Sequence, residues 1–242
     1  MYVRHWMLPV APSNATTLPR GGTPGATDIF PNGGGVDSDF GAGANLFTAT
    51  IGGQLKDLVG AGQKSGDYWA FDPDTGETVW QTQAGPGGVI GGIHFGTATD
   101  GYRVYVEAND SQATPWTIAG SGSQAGTIST SGFWTALDAA DGHIVWQIAN
   151  PALSRPVTGG MSTDGPVVVV NGVLFAGSMD PNGTMFAMNA ATGEVLWSFQ
   201  SGGSVYGGPA VANGVVYWGC GYSQGTLGTG TRCAQLYAFT PQ

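Results

Sequence analysis

The sequence has little positive charge. Lysine and arginine together number 7 of 242 residues against 16 aspartates and glutamates, a formal net charge of −9. No basic cluster breaks this balance, so nucleic acid, whose phosphates must be met by lysine and arginine, is excluded as a partner class. Long apolar runs are missing too, and with them a membrane-spanning helix. Met1-Tyr2-Val3-Arg4-His5-Trp6 does not have the make-up of a signal peptide, so an exported form is expected to be processed, truncated or a fragment. Cysteine occurs only twice. There is no CxxC pair, no CxxCH, no HExxH, no phosphate-binding loop and no notable Ser-His-Asp order. Attached haem, zinc-peptidase and nucleotide chemistry therefore find no support here. Helical periodicity is absent as well.

What the chain has in excess is glycine, 43 residues, with charged residues at 10% and hydrophobic residues at 41%. That composition suits a turn-dense β protein with an adequate core. One phrase organises it. Ala70–Trp80 reads AFDPDTGETVW, Ala136–Trp146 reads ALDAADGHIVW, and Ala187–Trp197 reads AMNAATGEVLW. A fourth copy starts at Ala238, so the motif alanines are 66, 51 and 51 residues apart. Each copy has an alternating strand, a turn ending in a flexible glycine, and a second β-rich run ending in tryptophan. Upstream of the later copies, Asn171-Gly172 and Asn213-Gly214 each separate two apolar runs, a strong hairpin signal. Four strands repeated every ~50 residues predict an all-β protein, a β-propeller of four blades. The alternative, a β-sandwich with chance similarity between hairpins, does not account for a repeated eleven-residue phrase.

Residues 1–35 are rich in Pro, Gly, Asn and Thr and are expected to form an irregular lead-in. The blades are predicted at about 36–83, 89–148, 159–199 and 207–242, with Leu55–Gly62 as an inner strand of the first. Gln112–Thr130, rich in Ser, Gly, Thr and Gln, is predicted as a surface insertion in the second. Paired glycines at 87–88, 91–92, 159–160, 202–203 and 207–208 mark the blade boundaries. The fourth blade has no outer strand after Ala238-Phe239-Thr240. An open strand edge invites pairing, so the lead-in, a second chain or a missing half is expected to complete it.

Cys220 and Cys233 face each other across a Gly- and Thr-rich loop between two predicted strands. A disulfide is expected there, two free thiols being the alternative. With scarce lysine and a Gly/Ser/Thr-rich surface, the pair points to a secreted protein, periplasmic or extracellular. Asn14-Ala15-Thr16, Asn109-Asp110-Ser111 and Asn182-Gly183-Thr184 are glycosylation sequons, meaningful only in a eukaryotic secretory route.

The AxDxxTGxxxW phrase resembles the tryptophan-docking repeat of pyrroloquinoline-quinone (PQQ) dehydrogenases, the quinoprotein alcohol dehydrogenase family. Val36–Gly41, Leu58–Gly66, Gly85–Gly88 and GTATDG from Gly96 look most like polyvinyl alcohol dehydrogenases within it. The resemblance covers about residues 36–242 and implies the C-terminal half of an eight-bladed propeller, with PQQ and calcium on its axis. It implies that Trp80, Trp146 and Trp197 dock between adjacent blades, each near the glycine of the next copy. It implies that Asp39 takes the proton from the alcohol and that Lys64 contacts the quinone oxygens. Both fit the chemistry: an ionised carboxylate acts as a base, and a cation stabilises a developing quinol oxyanion. His94, before Phe95 where several relatives have tryptophan, is a candidate polar contact on the axis; an inner-strand histidine satisfied by its neighbours is the plainer alternative. An Asp before Phe-Gly also suits a turn, and a Lys before Ser-Gly suits a solvated position.

The family's calcium ligands, ring-stacking tryptophan and adjacent-cysteine clamp belong to the half not represented here. PQQ and calcium are therefore not expected to be held by this chain alone. Asp100, Asp110, Asp141 and Asp180 resemble calcium loops in composition only, so no metal ligand is assigned. Of the tryptophans outside the motif, Trp116 alone is a candidate exposed aromatic. Two functions remain: half of a dehydrogenase oxidising secondary or polymeric alcohols with PQQ, or a non-catalytic propeller acting as a scaffold or carbohydrate- or protein-binding module.

Overall fold

The repeated phrase folds as predicted, into successive blade-like antiparallel sheets. The computed structural model describes residues 38–88, 90–153, 162–221 and 230–240. The lead-in 1–35, Val36-Asp37, the glycine pair 159–160 and the sequon at Asn14 lie outside these. Every element among the described residues is a strand. In the first blade β1 (Asn45–Ile51), β2 (Gln54–Gly62), β3 (Asp67–Phe71) and β4 (Thr78–Gln83) pair in chain order. The second region contains β5 (Ala98–Thr99), β6 (Arg103–Ala108), β7 (Trp116–Thr117), β8 (Ile128–Ser129), β9 (Phe133–Asp138) and β10 (Ile144–Ala149). Its blade runs β5-β6-β9-β10, while β7 and β8 pair separately inside the insertion. The third blade is β11 (Val168–Val170), β12 (Val173–Gly177), β13 (Thr184–Asn189) and β14 (Val195–Gln200). The fourth is three-stranded: β15 (Ala210–Ala212), β16 (Val215–Gly219) and β17 (Leu236–Phe239).

The leading strands converge. The Asn45 amide donates to the Thr97 carbonyl at 3.1 Å, and the Val167 N–H donates to the Gly96 carbonyl at 3.3 Å. Strand β5 touches both β1 and β11, so these strands lie toward the axis and β4, β10 and β14 toward the rim. Leu55–Gly62 is accordingly the second strand of its blade, not the innermost. Gly52 and Gly53, both at positive φ, reverse the chain between Ile51 and Gln54 and put Asn45–Ile51 in front.

Each blade presents one sheet face to each neighbour. Val104 and Val106 pack toward the first blade with Leu58, Tyr68 and Trp80, while Tyr105 packs toward the third with Trp134, Trp146, Leu174 and Met188. A strand buried on both faces reads as a continuous apolar run, as β6 does. The period of two also turns Glu107 the same way as Tyr105, toward the third blade.

Docking depends on the turn after each third strand. Gly76, Gly142 and Gly193 sit at φ of 75°, 77° and 74° and donate to the carbonyls of Asp72, Asp138 and Asn189 at 2.8, 2.9 and 2.8 Å. That turn exposes a carbonyl and a bare glycine to the preceding blade's tryptophan. Trp80 Nε1 donates to Ala139 O at 3.1 Å and Trp146 Nε1 to Ala190 O at 2.9 Å. A Cβ at Gly142 or Gly193 would run into those indoles. Trp80 and Trp146 are accordingly buried. Trp197 is not: it is 39% exposed, and its ring contacts among the described residues are with the edge of Phe239, at a ring distance of 5.0 Å, and with Phe199. Its expected docking fails because no such turn stands opposite it among the described residues.

The insertion is less peripheral than its composition suggests. Gly120 and Ser121 bridge to Trp146 on the rim strand, Ile118 is buried, and Trp116 Nε1 donates to Gln147 Oε1 at 2.8 Å. Trp116 is thus a packing residue and not an exposed binding aromatic. In the last blade Cys220 and Cys233 are bonded, 13 residues apart in sequence. Reducing the bond should lower stability by about 3 kcal/mol on the chain-entropy account. Urea melts with and without reductant check this, and coincident curves would contradict it.

Candidate functional site

Asp39, Lys64 and His94 come from three separate stretches, and the fold brings all three to one cluster. Lys64 sits in the β2–β3 turn, closed by Gln63 N–H to Asp67 O and Gly66 N–H to Gln63 O, both at 2.9 Å. Its own N–H donates to the Asp39 carbonyl at 2.9 Å, which sets the two residues side by side. The Lys64 ammonium stands 3.8 Å from Asp39 Oδ2, with the lysine side chain 15% exposed and the aspartate 80%. Lys64 is thus a half-sheltered cation with a solvent-facing carboxylate beside it.

His94 lies in the crossing from the first blade to the second, just ahead of β5. Its N–H and that of Phe95 both donate to Glu107 Oε1, at 2.9 and 3.0 Å. Its ring reaches Asp164 through Nδ1 at 3.1 Å. Asp164 belongs to the loop that enters β11, and that loop is closely held. Ser162 bonds Asn109 Oδ1 through both N–H and hydroxyl, and the Thr163 hydroxyl bonds Ala108 O. The alternative of a histidine satisfied by its neighbours is therefore true of Nδ1, while the ring remains 18% exposed.

Glu107 and Asp164 are the residues that sequence reasoning missed. Both are buried. Burial, and next the charge of Asp164, hold the Glu107 carboxyl well above the usual range, against the N–H groups of Phe95, His94 and Gly96. Burial likewise pushes Asp164 up, opposed by the bond from His94 and the charges of His94 and Lys64. A signal existed for Glu107, a lone acid inside the apolar run Val104-Tyr105-Val106-Glu107-Ala108. Asp164, in an ordinary Ser-Thr-Asp-Gly turn, offered none.

A quinone cofactor bearing carboxylates needs cationic and N–H donors, and Lys64 and His94 supply these at the cluster. The fit to calcium is poor. The one group of three close metal-ligating side chains among the described residues is Asp138, Asp141 and His143, in a docking turn and not at the cluster. Two of its carboxylate oxygens already accept the backbone N–H groups of Ala140 and His143.

These acids also set the response of the fold to pH. Asp110, buried with Oδ2 unpaired, is raised to about 6 by burial. For a raised carboxyl the stabilising contribution is complete below about pH 4 and is lost as pH rises through the folded value. Asp72 and Asp141 are lowered, first by the N–H groups of Thr75 and His143 respectively, so their contribution is lost below about pH 4. Stability should therefore peak near about pH 4 and fall from there to about pH 6, Asp110 contributing on the order of 1 kcal/mol after solvent screening. Urea midpoints from acid to neutral pH check this, and Asp110→Asn should flatten that limb.

The chain was compared with known proteins. A family model described as outer membrane protein assembly factor BamB matches residues 131–240. A polyvinylalcohol dehydrogenase from Pseudomonas sp is 33% identical over 217 residues, 78% of this chain and 30% of that protein. One from Sphingopyxis sp. (strain 113P3) is 32% identical over 222 residues, 84% of this chain and 32% of that protein. The chain thus spans about a third of the length of these relatives. Among solved structures, quinohemoprotein alcohol dehydrogenase from Comamonas testosteroni superimposes with a TM-score of 0.57 at 17% identity, covering 86% of this chain and 40% of that one. That likeness bears on the fold.

Proposed function

The chain belongs to the PQQ-dependent dehydrogenase-like family of β-propellers, and on that premise we propose that it is part of a quinoprotein alcohol dehydrogenase acting on secondary or polymeric alcohols. The observation that carries this is the pairing of Asp39 with Lys64, with the His94 stretch tied to the same turn through the Ile93 N–H to Gln63 O bond. PQQ, when bound, supplies a two-electron acceptor for the hydride of the alcohol carbon. Asp39 takes the hydroxyl proton, its carboxylate being exposed and open to substrate. Lys64, sheltered enough to hold its position, faces the oxygen on which negative charge builds. His94 contributes a further polar contact. The disulfide favours an oxidising compartment, periplasmic or extracellular. Among the described residues no helix is long and apolar enough to cross a membrane.

With Lys64, Asp39 and His94 all on the first two blades, the rest of a quinone site has to come from elsewhere. The proposed partner is the remainder of the propeller, as further chain or as a second polypeptide, and the substrate class is a small or polymeric alcohol. The test is dye-linked oxidation of a secondary alcohol with PQQ and Ca²⁺ supplied. It compares this chain alone with this chain plus the part of the Pseudomonas relative that it does not match. Turnover only in the complemented sample is expected. No turnover there, while the intact relative is active, would favour the second reading, a non-catalytic propeller serving as a scaffold or binding module. The match to the assembly-factor model supports that alternative.

A further inference from the structure

Behind Lys64 and His94 lies a charge that the dehydrogenase reading leaves without a role. Asp164 and Glu107 are both fully buried, and each keeps one carboxylate oxygen, Oδ2 and Oε2, without a hydrogen-bond partner. Unpaired buried carboxylate oxygens cost stability, and apolar side chains would fill the same space without that cost. Groups of this kind concentrate where a site has to hold a charge. Here the two acids are not equivalent. Burial pushes both carboxyls up, but it is Asp164 that faces the cationic groups: its Oδ1 lies 3.1 Å from His94 Nδ1, and the charges of His94 and Lys64 favour its ionised form.

The surroundings fix this arrangement. The Asp164 loop is tied to the second blade through Ser162 and Thr163, and the Gly132 N–H donates to Ser162 Oγ at 2.8 Å. His94 is held at its backbone by Glu107 and at its ring by Asp164. Gly41 lies so close to the His94 carbonyl and ring edge that a Cβ there would stand 2.7 and 2.9 Å from them. The ring therefore has one orientation, with Nδ1 directed to the buried carboxylate and the Cδ2 edge against Gly41, while 18% of the side chain stays exposed. Phe95 lies against it at a ring distance of 3.9 Å and is itself packed on Tyr206.

We propose that Asp164 is the positioning residue of this site: it draws His94 Nδ1–H inward and frees Nε2, so that His94 and Lys64, held by one buried charge, together receive a carboxylate or quinone-type oxygen. The identity of that ligand rests on the dehydrogenase reading, but the geometry does not. The tautomer of a histidine is set by the bond its inner nitrogen makes. A lysine and a histidine held in place lose less freedom on binding than two mobile side chains would.

The test is long-range ¹H–¹⁵N NMR of the labelled chain. In the wild type, His94 should carry a proton on Nδ1, and in Asp164→Ala it should revert to protonation on Nε2. His143, bonded to Asp141, serves as an internal control that should not change. A wild-type His94 protonated on Nε2 alone would overturn the proposal whether or not any variant folds. PQQ added at millimolar concentration to the labelled chain complemented with the rest of the propeller should then shift the His94 and Lys64 signals. The affinity should fall about tenfold in Asp164→Asn, which keeps the shape but removes the charge. Unchanged affinity in Asp164→Asn and in His94→Gln would overturn the receiving role. If PQQ shifts no signal anywhere, the dehydrogenase reading loses its cofactor and the receiving role falls with it, whereas the Nδ1 result stands or falls alone.

Discussion

Replacing Trp146 by alanine should lower the unfolding free energy by about 3–5 kcal/mol, the range for large buried aromatics. Trp146 is 1% exposed, and its indole fills the space between the second and third blades. Three contacts are lost together: the hydrogen bond from Nε1 to Ala190 O, the packing on Gly193, and the approach of Tyr105 at a ring distance of 6.2 Å. The Ala190 carbonyl is also left without that donor in a dry interface, which adds a desolvation penalty. Trp197→Ala is the matched comparison. The two tryptophans hold the same place in the repeat, but Trp197 is 39% exposed and its Nε1 has no bond among the described residues. Its loss should cost about 1 kcal/mol, in line with an edge aromatic contact. Urea denaturation of both variants measures the difference. Equal losses would mean that docking contributes little and that the repeat is held by its strands alone.

The same pair explains what the sequence could convey. Hairpins and docking turns are local: Asn-Gly at 171 and 213 takes positive φ at both residues, and three glycines take the same turn, because a few adjacent residues dictate those conformations. Fold class, blade number and disulfide were therefore legible. The docking of Trp80 was legible as well, since its partner turn is also within the chain. Trp197 was not, because its burial depends on a neighbour that the phrase itself does not encode. The Gly52-Gly53 reversal was open to the same turn chemistry, and Phe47, Ala49 and Ile51 alternate with threonines ahead of it, so the leading strand of the first blade was legible there too.

At the candidate site, the expectation for Lys64 and Asp39 rests on resemblance to a known pattern, and the fold sets the two side by side. Asp164 depends on long-range packing. It is placed by Asn109 and Ala108, which lie more than fifty residues earlier, through bonds that no local pattern announces. Trp116 shows the same limit from the other side. A polar, glycine-rich insertion reads as surface, but the fold lays it across the exposed rim of β10, where covering an edge strand has its own value.

In the complemented propeller, Asp39→Asn should lower kcat/KM for a secondary alcohol by about 10²–10⁴-fold, the usual contribution of a positioned general base. The amide keeps the shape of the carboxylate but cannot take the proton. Because Asp39 is 80% exposed and its backbone carbonyl, not its side chain, anchors the Lys64 turn, the urea midpoint should barely move. Lys64→Ala should cost about 10²–10³-fold through the lost stabilisation of the developing oxyanion. The two residues are in contact, so the double variant should lose less than the product of the single effects. Steady-state assays of the four proteins, with denaturation curves beside them, decide the matter. Full turnover in Asp39→Asn would remove the base from this residue. A large fall in stability in either single variant would mean that the pair is structural, because the loss of activity would then follow from the fold and not from the chemistry.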